Sequence, residues 1–144
     1  MLVTGVDPSV LALEISENVL MSDPQSAFDK LWSIRELGAR VVVDNFGTAY
    51  SSLSRLGRLP MNSLNVDRSL IFRLGVAPED TAIVAASINL AHSLGWEVTA
   101  EGVETADQLD RLRELGCDMV QGYHLWEPLT GEEVAASLAT GPHR

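Results

Sequence analysis

The sequence predicts an α/β fold built on about five parallel strands, and three observations support that class. A helical stretch closed by Leu-Gly is three times followed by a short apolar run ending in a polar residue. The pattern reads Leu37-Gly38 before residues 39–44, Leu94-Gly95 before 96–101, and Leu115-Gly116 before 117–121. These runs are largely apolar and rich in β-branched residues, as suits strands covered on both faces. Strand-like and helix-like segments also alternate along the chain, which signals βαβ units and a parallel sheet.

Each element has a local reason. A strand over 11–15 reads Leu-Ala-Leu-Glu-Ile. A helix near 24–37 follows, with Ser22 or Asp23 as N-cap and Pro24 at the first helical position, where its missing N–H costs nothing. After the strand at 39–44 comes a short helix near 50–56, then a strand at Ser63–Val66 that stops at Asp67. Helices over 78–94, 106–115 and 131–138 complete the series, the last beginning after a capping Thr130. Glycine after each Leu supplies the left-handed residue that closes a helix. No linker, repeat of low complexity or block of one charge divides the chain, so residues 1–139 are expected to form one domain and 140–144 a loose tail.

A length of 144 residues with 46% apolar content suits one core-forming domain. No apolar run approaches the roughly 20 residues of a membrane span. The opening segment holds Gly5, Asp7 and Pro8 and no basic residue, unlike a signal peptide, so a cytoplasmic setting is expected. Cys117 stands alone, which excludes an internal disulfide and suggests a buried structural thiol. A formal charge of -10 argues against non-specific nucleic-acid binding. It remains compatible with a nucleotide ligand, because carboxylates that hold a metal ion can present positive charge to phosphate.

Position is the informative feature of the polar residues. Glu14 and Glu17, Asp44, Asp67, Glu101 and Glu104, and Gln121 all fall at or just beyond the C-terminal end of an expected strand. In parallel α/β folds that end carries the active site, because the βα loops converge there. Several carboxylates on one rim repel each other unless protons or cations neutralise them. Oxygen-only donors favour Mg²⁺, Mn²⁺ or Ca²⁺, and no Cys/His set competes. Of the histidines only His124 is near the rim, and packing or solvent contact is its expected role.

These residues carry a resemblance. Leu13-Glu14-Ile15-Ser16-Glu17 is similar to the Glu-Leu-Thr-Glu segment of EAL domains. The stretch Asp44-Asn45-Phe46-Gly47-Thr48-Ala49-Tyr50-Ser51-Ser52-Leu53 resembles their Asp-Asp-Phe-Gly-Thr-Gly-Tyr-Ser-Ser-Leu loop. Leu64-Asn65-Val66-Asp67-Arg68-Ser69 resembles their Leu-Lys-Ile-Asp-Arg-Ser strand, and Ala100-Glu101-Gly102-Val103-Glu104-Thr105 with Gln121-Gly122-Tyr123 completes the order. The resemblance implies a TIM-type (β/α) barrel that hydrolyses cyclic-di-GMP to pGpG with two divalent ions, Mg or Mn. It places Glu14 and Asp44 on the first metal, Asn45 where a second aspartate holds the second metal, and Asn65 where a lysine assists the attacking water. Asp67 would be a metal-site ligand or its support, Glu101 a catalytic-site carboxylate, and Gln121 a residue lining the same centre. Glu17, Glu104, Phe46, Gly47 and Thr48 would support them, with Glu17 bracing the loop.

The departures set the remaining expectations. A full barrel of this type takes about 250 residues, so the resemblance implies a partial barrel that lacks the family's first three strands. Asn45 and Asn65 each remove a charge that the family uses, and Ala49 replaces a loop glycine. A degenerate, catalytically inactive unit is therefore expected, regulatory or cyclic-di-GMP-sensing, with its metal weakly bound or absent. Two alternatives stand beside it: an active phosphodiesterase completed by an N-terminal half, and a non-catalytic oligomerisation or protein-interaction module. Open strand edges with apolar interior side chains facing water would favour a homo-oligomer or docking with another domain.

Overall fold

A computed structural model describes residues 5–22, 24–47 and 56–140. Strands β1 (Ala12–Ser16), β2 (Arg40–Phe46), β3 (Ser63–Val66), β4 (Glu97–Glu101) and β5 (Met119–Gln121) form one sheet in chain order, and every pair is parallel. The helices are α1 (Glu17–Ser22), α2 (Pro24–Glu36), α3 (Arg68–Phe72), α4 (Pro78–Ser93), α5 (Ala106–Glu114) and α6 (Gly131–Thr140). Parallel neighbours in sequence order, with helices described between β1 and β2, between β3 and β4 and between β4 and β5, make an open segment of a (β/α) barrel. The strands lie within one or two residues of the sequence reading.

Two short helices escape that reading. Asp67 caps α3 by accepting from Ser69 N at 2.8 Å, and α1 follows β1 directly. Neither is long enough to show a helical period. Ser22 ends α1 rather than capping α2, and Asp23 lies outside the described residues, as does most of the helix expected near 50–56. Gly38, Gly95 and Gly116 have φ of 95°, 74° and 77°, the left-handed closure that the Leu-Gly repeat predicts.

The strands bury one face against the helices. Val41, Val43, Leu64, Val66, Val98 and Ala100 join Leu31, Ile71, Val84, Ile88 and Leu112 in a single core. The opposite face of the sheet is the interior of the barrel segment, and most of its side chains are polar rather than apolar. Alternation and register place Glu14, Arg40, Asp44, Ser63, Asn65, Glu97, Thr99, Glu101 and Gln121 on that face, with Ala12, Val42 and Met119 as its apolar members. Arg40 pairs with Glu97 across it. Exposed apolar side chains lie at the two ends of the sheet. Leu11 and Leu13 are exposed before and in β1, and Met119, Tyr123 and Trp126 are exposed in and after β5. Cys117 is half-buried rather than fully buried, its thiol donating to Met119 O at 3.2 Å.

Helix α5 starts on a capping box. Thr105 Oγ1 accepts from Gln108 N at 3.2 Å, and Gln108 Oε1 accepts from Thr105 N at 3.0 Å. Gln108 also donates to Ile71 O at 3.1 Å, tying α5 to α3. Thr105→Ala leaves one helix donor unsatisfied and should cost about 1 kcal/mol, read as a lower urea midpoint at unchanged slope. Helix α6 opens the same way, with Thr130 N donating to Glu133 Oε2 at 2.7 Å and Glu133 N donating to Thr130 Oγ1 at 3.4 Å.

Candidate functional site

The rim at the C-terminal ends of the strands gathers the residues in the order the topology dictates. Asn65 lies at its centre. It is 5% exposed, and its Nδ2 donates to Glu101 Oε1 at 3.0 Å and to Glu14 Oε1 at 3.3 Å. One amide therefore joins β1, β3 and β4, which the curvature of the sheet brings within reach of each other.

Asp44 and Asn45 sit at an irregularity in the β2–β3 register between Val43 and Phe46. Bulges of this kind re-aim side chains beside functional sites. Asn45 has φ of 55°, a left-handed value that Asn tolerates better than most side chains. Its Nδ2 donates to Asp44 Oδ2. Phe46 turns into the core at 7% exposure. Gly47 N donates to Oε2 of Glu17, a carboxylate that is itself only 1% exposed, at 3.1 Å. A Cβ at Gly47 would meet Leu70 Cδ1 at 2.5 Å, so this turn packs tightly on α3. Thr48 and Ala49 lie outside the described residues.

The remaining residues are spread further. Asp67 uses Oδ1 to cap α3, accepting from both Ser69 N and Ser69 Oγ. Gln121 is exposed on β5, opposite Glu101 in the register. Glu104 is exposed, and it is its backbone N that is held, donating to Gln108 Oε1 at 2.8 Å. His124 is exposed as well, its N donating to Val103 O at 3.0 Å. The Arg40–Glu97 pair below the rim is a polar feature that the reading of apolar runs passed over. The alternation Arg40, Val42, Asp44 along β2 is the signal that marks it.

Burial raises the pKa of Glu101, and the carboxylates of Asp44, Glu14 and Asp67 push it in the same direction; the Asn65 hydrogen bond opposes them. A folded state that holds this proton more tightly than the unfolded chain is favoured below the ordinary glutamate value of 4.5. That share of stability is lost as pH rises through the raised value. Glu101→Gln should flatten this part of the profile, so wild type minus variant in urea midpoint falls as pH rises from acid to neutral. A difference that stays level would contradict the assignment.

The donor chemistry suits a hard divalent cation, but the arrangement does not fit one. Among the described residues no three acidic, His or Cys side chains gather closely enough to hold a metal. Glu14, Glu101 and Asp44 each have an oxygen engaged by an amide. No cationic side chain pairs with these three among the described residues, and the chain's single lysine, Lys30, is exposed on α2.

An acidic rim on a parallel (β/α) barrel segment defines the class. The family pattern described as EAL domain matches residues 2–128, and the chain belongs to the EAL domain family. It is 39% identical over 135 residues to the bifunctional diguanylate cyclase/cyclic di-GMP phosphodiesterase MucR of Pseudomonas aeruginosa, covering 94% of this chain and 20% of that protein. The solved structure of the MucR phosphodiesterase in complex with c-di-GMP superposes with a TM-score of 0.87 at 39% identity, over 90% of this chain and 52% of that one. The EAL domain of Mycobacterium smegmatis DcpA gives 0.88 at 38% identity, over 97% and 63%. Klebsiella pneumoniae BlrP1, in complex with manganese and cyclic-di-GMP, gives 0.80 at 30% identity, over 86% and 32%. The chain thus spans about a fifth of the MucR protein and about half of the MucR structure.

Proposed function

We propose that this unit is a non-hydrolysing EAL module with a regulatory role, for which cyclic-di-GMP is a ligand sensed rather than a substrate consumed. The observation that carries the reading is Asn65, lodged between Glu14 and Glu101 where the EAL strand it resembles has a lysine. An ammonium brings a full charge and three donors; an amide brings no charge. Asn45 removes a second charge at the position of a metal-binding aspartate, so Mg²⁺ or Mn²⁺ is weakly held in this reading. Relatives that hydrolyse or bind cyclic-di-GMP support the choice of ligand.

The test is calorimetric titration of the chain with cyclic-di-GMP in the presence of a chelator. Saturable heat is the expected result. No heat at high micromolar nucleotide would defeat the sensing role.

A second reading rests on the apolar ends of the sheet. Leu11 and Leu13 on one side, and Met119, Tyr123 and Trp126 on the other, favour association with a second copy or with a further domain that completes the barrel. Only in that completed form does the phosphodiesterase alternative apply. Light scattering tests association, and a monodisperse monomer across the accessible concentration range would contradict it.

A further inference from the structure

We infer that Asn65 and Asn45 are uncharged clamps which hold the rim together in place of a cation, so that divalent ions must compete with this chain's own amides for the carboxylate oxygens. The inference deepens the proposed function, naming what holds the ion off the rim, and it stands whether or not cyclic-di-GMP binds.

The geometry at Asn65 carries it. Nδ2 lies 3.0 Å from Glu101 Oε1 and 3.3 Å from Glu14 Oε1. A group between two carboxylate oxygens at such distances stands where a bridging cation would have to stand. The amide is a neutral donor, so each carboxylate keeps its charge but loses a lone-pair direction and the space in front of it. A metal entering here would break two charge-assisted hydrogen bonds and displace a side chain that is 5% exposed. Asn45 does the same to Asp44 from the neighbouring strand, and its left-handed backbone keeps the amide beside that carboxylate.

This account differs from simple loss of charge, and the difference is measurable. Asn65→Ala removes the clamp and adds no charge. If charge alone mattered, Mn²⁺ affinity would not move. If the amide competes, affinity should tighten by about tenfold or more, the equivalent of one hydrogen bond to a charged group. Asn45→Gly, which keeps the left-handed backbone accessible, should tighten binding in the same direction. Free Mn²⁺ is counted by electron paramagnetic resonance on the intact chain, so no turnover is needed.

The unsubstituted chain gives a further readout that does not depend on a variant folding. Its thermal midpoint should be the same in millimolar Mn²⁺ and in chelator. A rise of several degrees with Mn²⁺ would overturn the inference, because it would show the ion already bound in preference to the amides. Unchanged or weaker Mn²⁺ binding by a folded Asn65→Ala chain would overturn it equally. Neither result bears on the calorimetric titration with nucleotide, so the two proposals fail separately.

Discussion

Gly122→Ala is expected to cost about 3 kcal/mol or more, because the added methyl would meet fixed backbone rather than a movable side chain. A Cβ at Gly122 would lie 2.1 Å from Val103 O, 2.3 Å from Val103 N and 2.7 Å from Val103 C. These are backbone atoms and cannot swing aside. Val103 N donates to Gln121 O and His124 N donates to Val103 O, both at 3.0 Å, so the contact segment is pinned on either side of the clash. Relief would require separating the loop after β4 from the end of β5, which also parts Glu101 from Gln121. A urea titration reads the loss directly. Gly131→Ala is the control, because a Cβ there meets nothing and alanine suits a helix better than glycine; it should be neutral or slightly stabilising.

Asn65→Leu should cost about 3 kcal/mol. Leucine has nearly the shape of asparagine, so packing on β3 is kept while both donors vanish. Two hydrogen bonds to carboxylates are lost, and Glu14 and Glu101 then face each other across an apolar side chain. Hydrogen bonds to charged groups contribute about 1.5 to 3 kcal/mol each, and stranding the acceptors adds a desolvation cost. The effect should shrink toward acid pH, where protonation of Glu101 relieves the repulsion, since its pKa is already raised by burial and by its acidic neighbours. A cost that stays the same at acid and neutral pH would mean that packing, not the amide, is what position 65 supplies.

Much of the fold was legible because its signals are local. Leu-Gly closures, proline at helix starts and apolar runs ending in a polar residue each act within a few positions, and they locate the five strands. What was not legible depends on neighbours distant in sequence. The interior face was expected to be apolar because Val41, Val42 and Val43 read as one run; only the register reveals that Val41 and Val43 enter the core while Val42 faces Glu14 and Ser63. The carboxylates could be assigned to a common rim from strand ends alone. That Asn65 ties Glu14 to Glu101 could not, because the contact spans 51 residues one way and 36 the other and depends on how the sheet curves. Judged from its side chain alone, Asn65 reads only as a missing charge; in place it is also a donor to both partners. Asn45 was seen as a lost carboxylate, whereas its backbone, at φ of 55°, explains why an amide is comfortable there.

The central claim is that amides have replaced the cationic machinery of this rim, leaving a nucleotide-responsive unit without turnover. Incubating the chain with cyclic-di-GMP and Mn²⁺ and separating the products chromatographically tests it most directly. The account predicts that the nucleotide is recovered intact, with no pGpG above the protein-free control. Steady accumulation of pGpG in proportion to protein, abolished by Glu101→Gln, would contradict it.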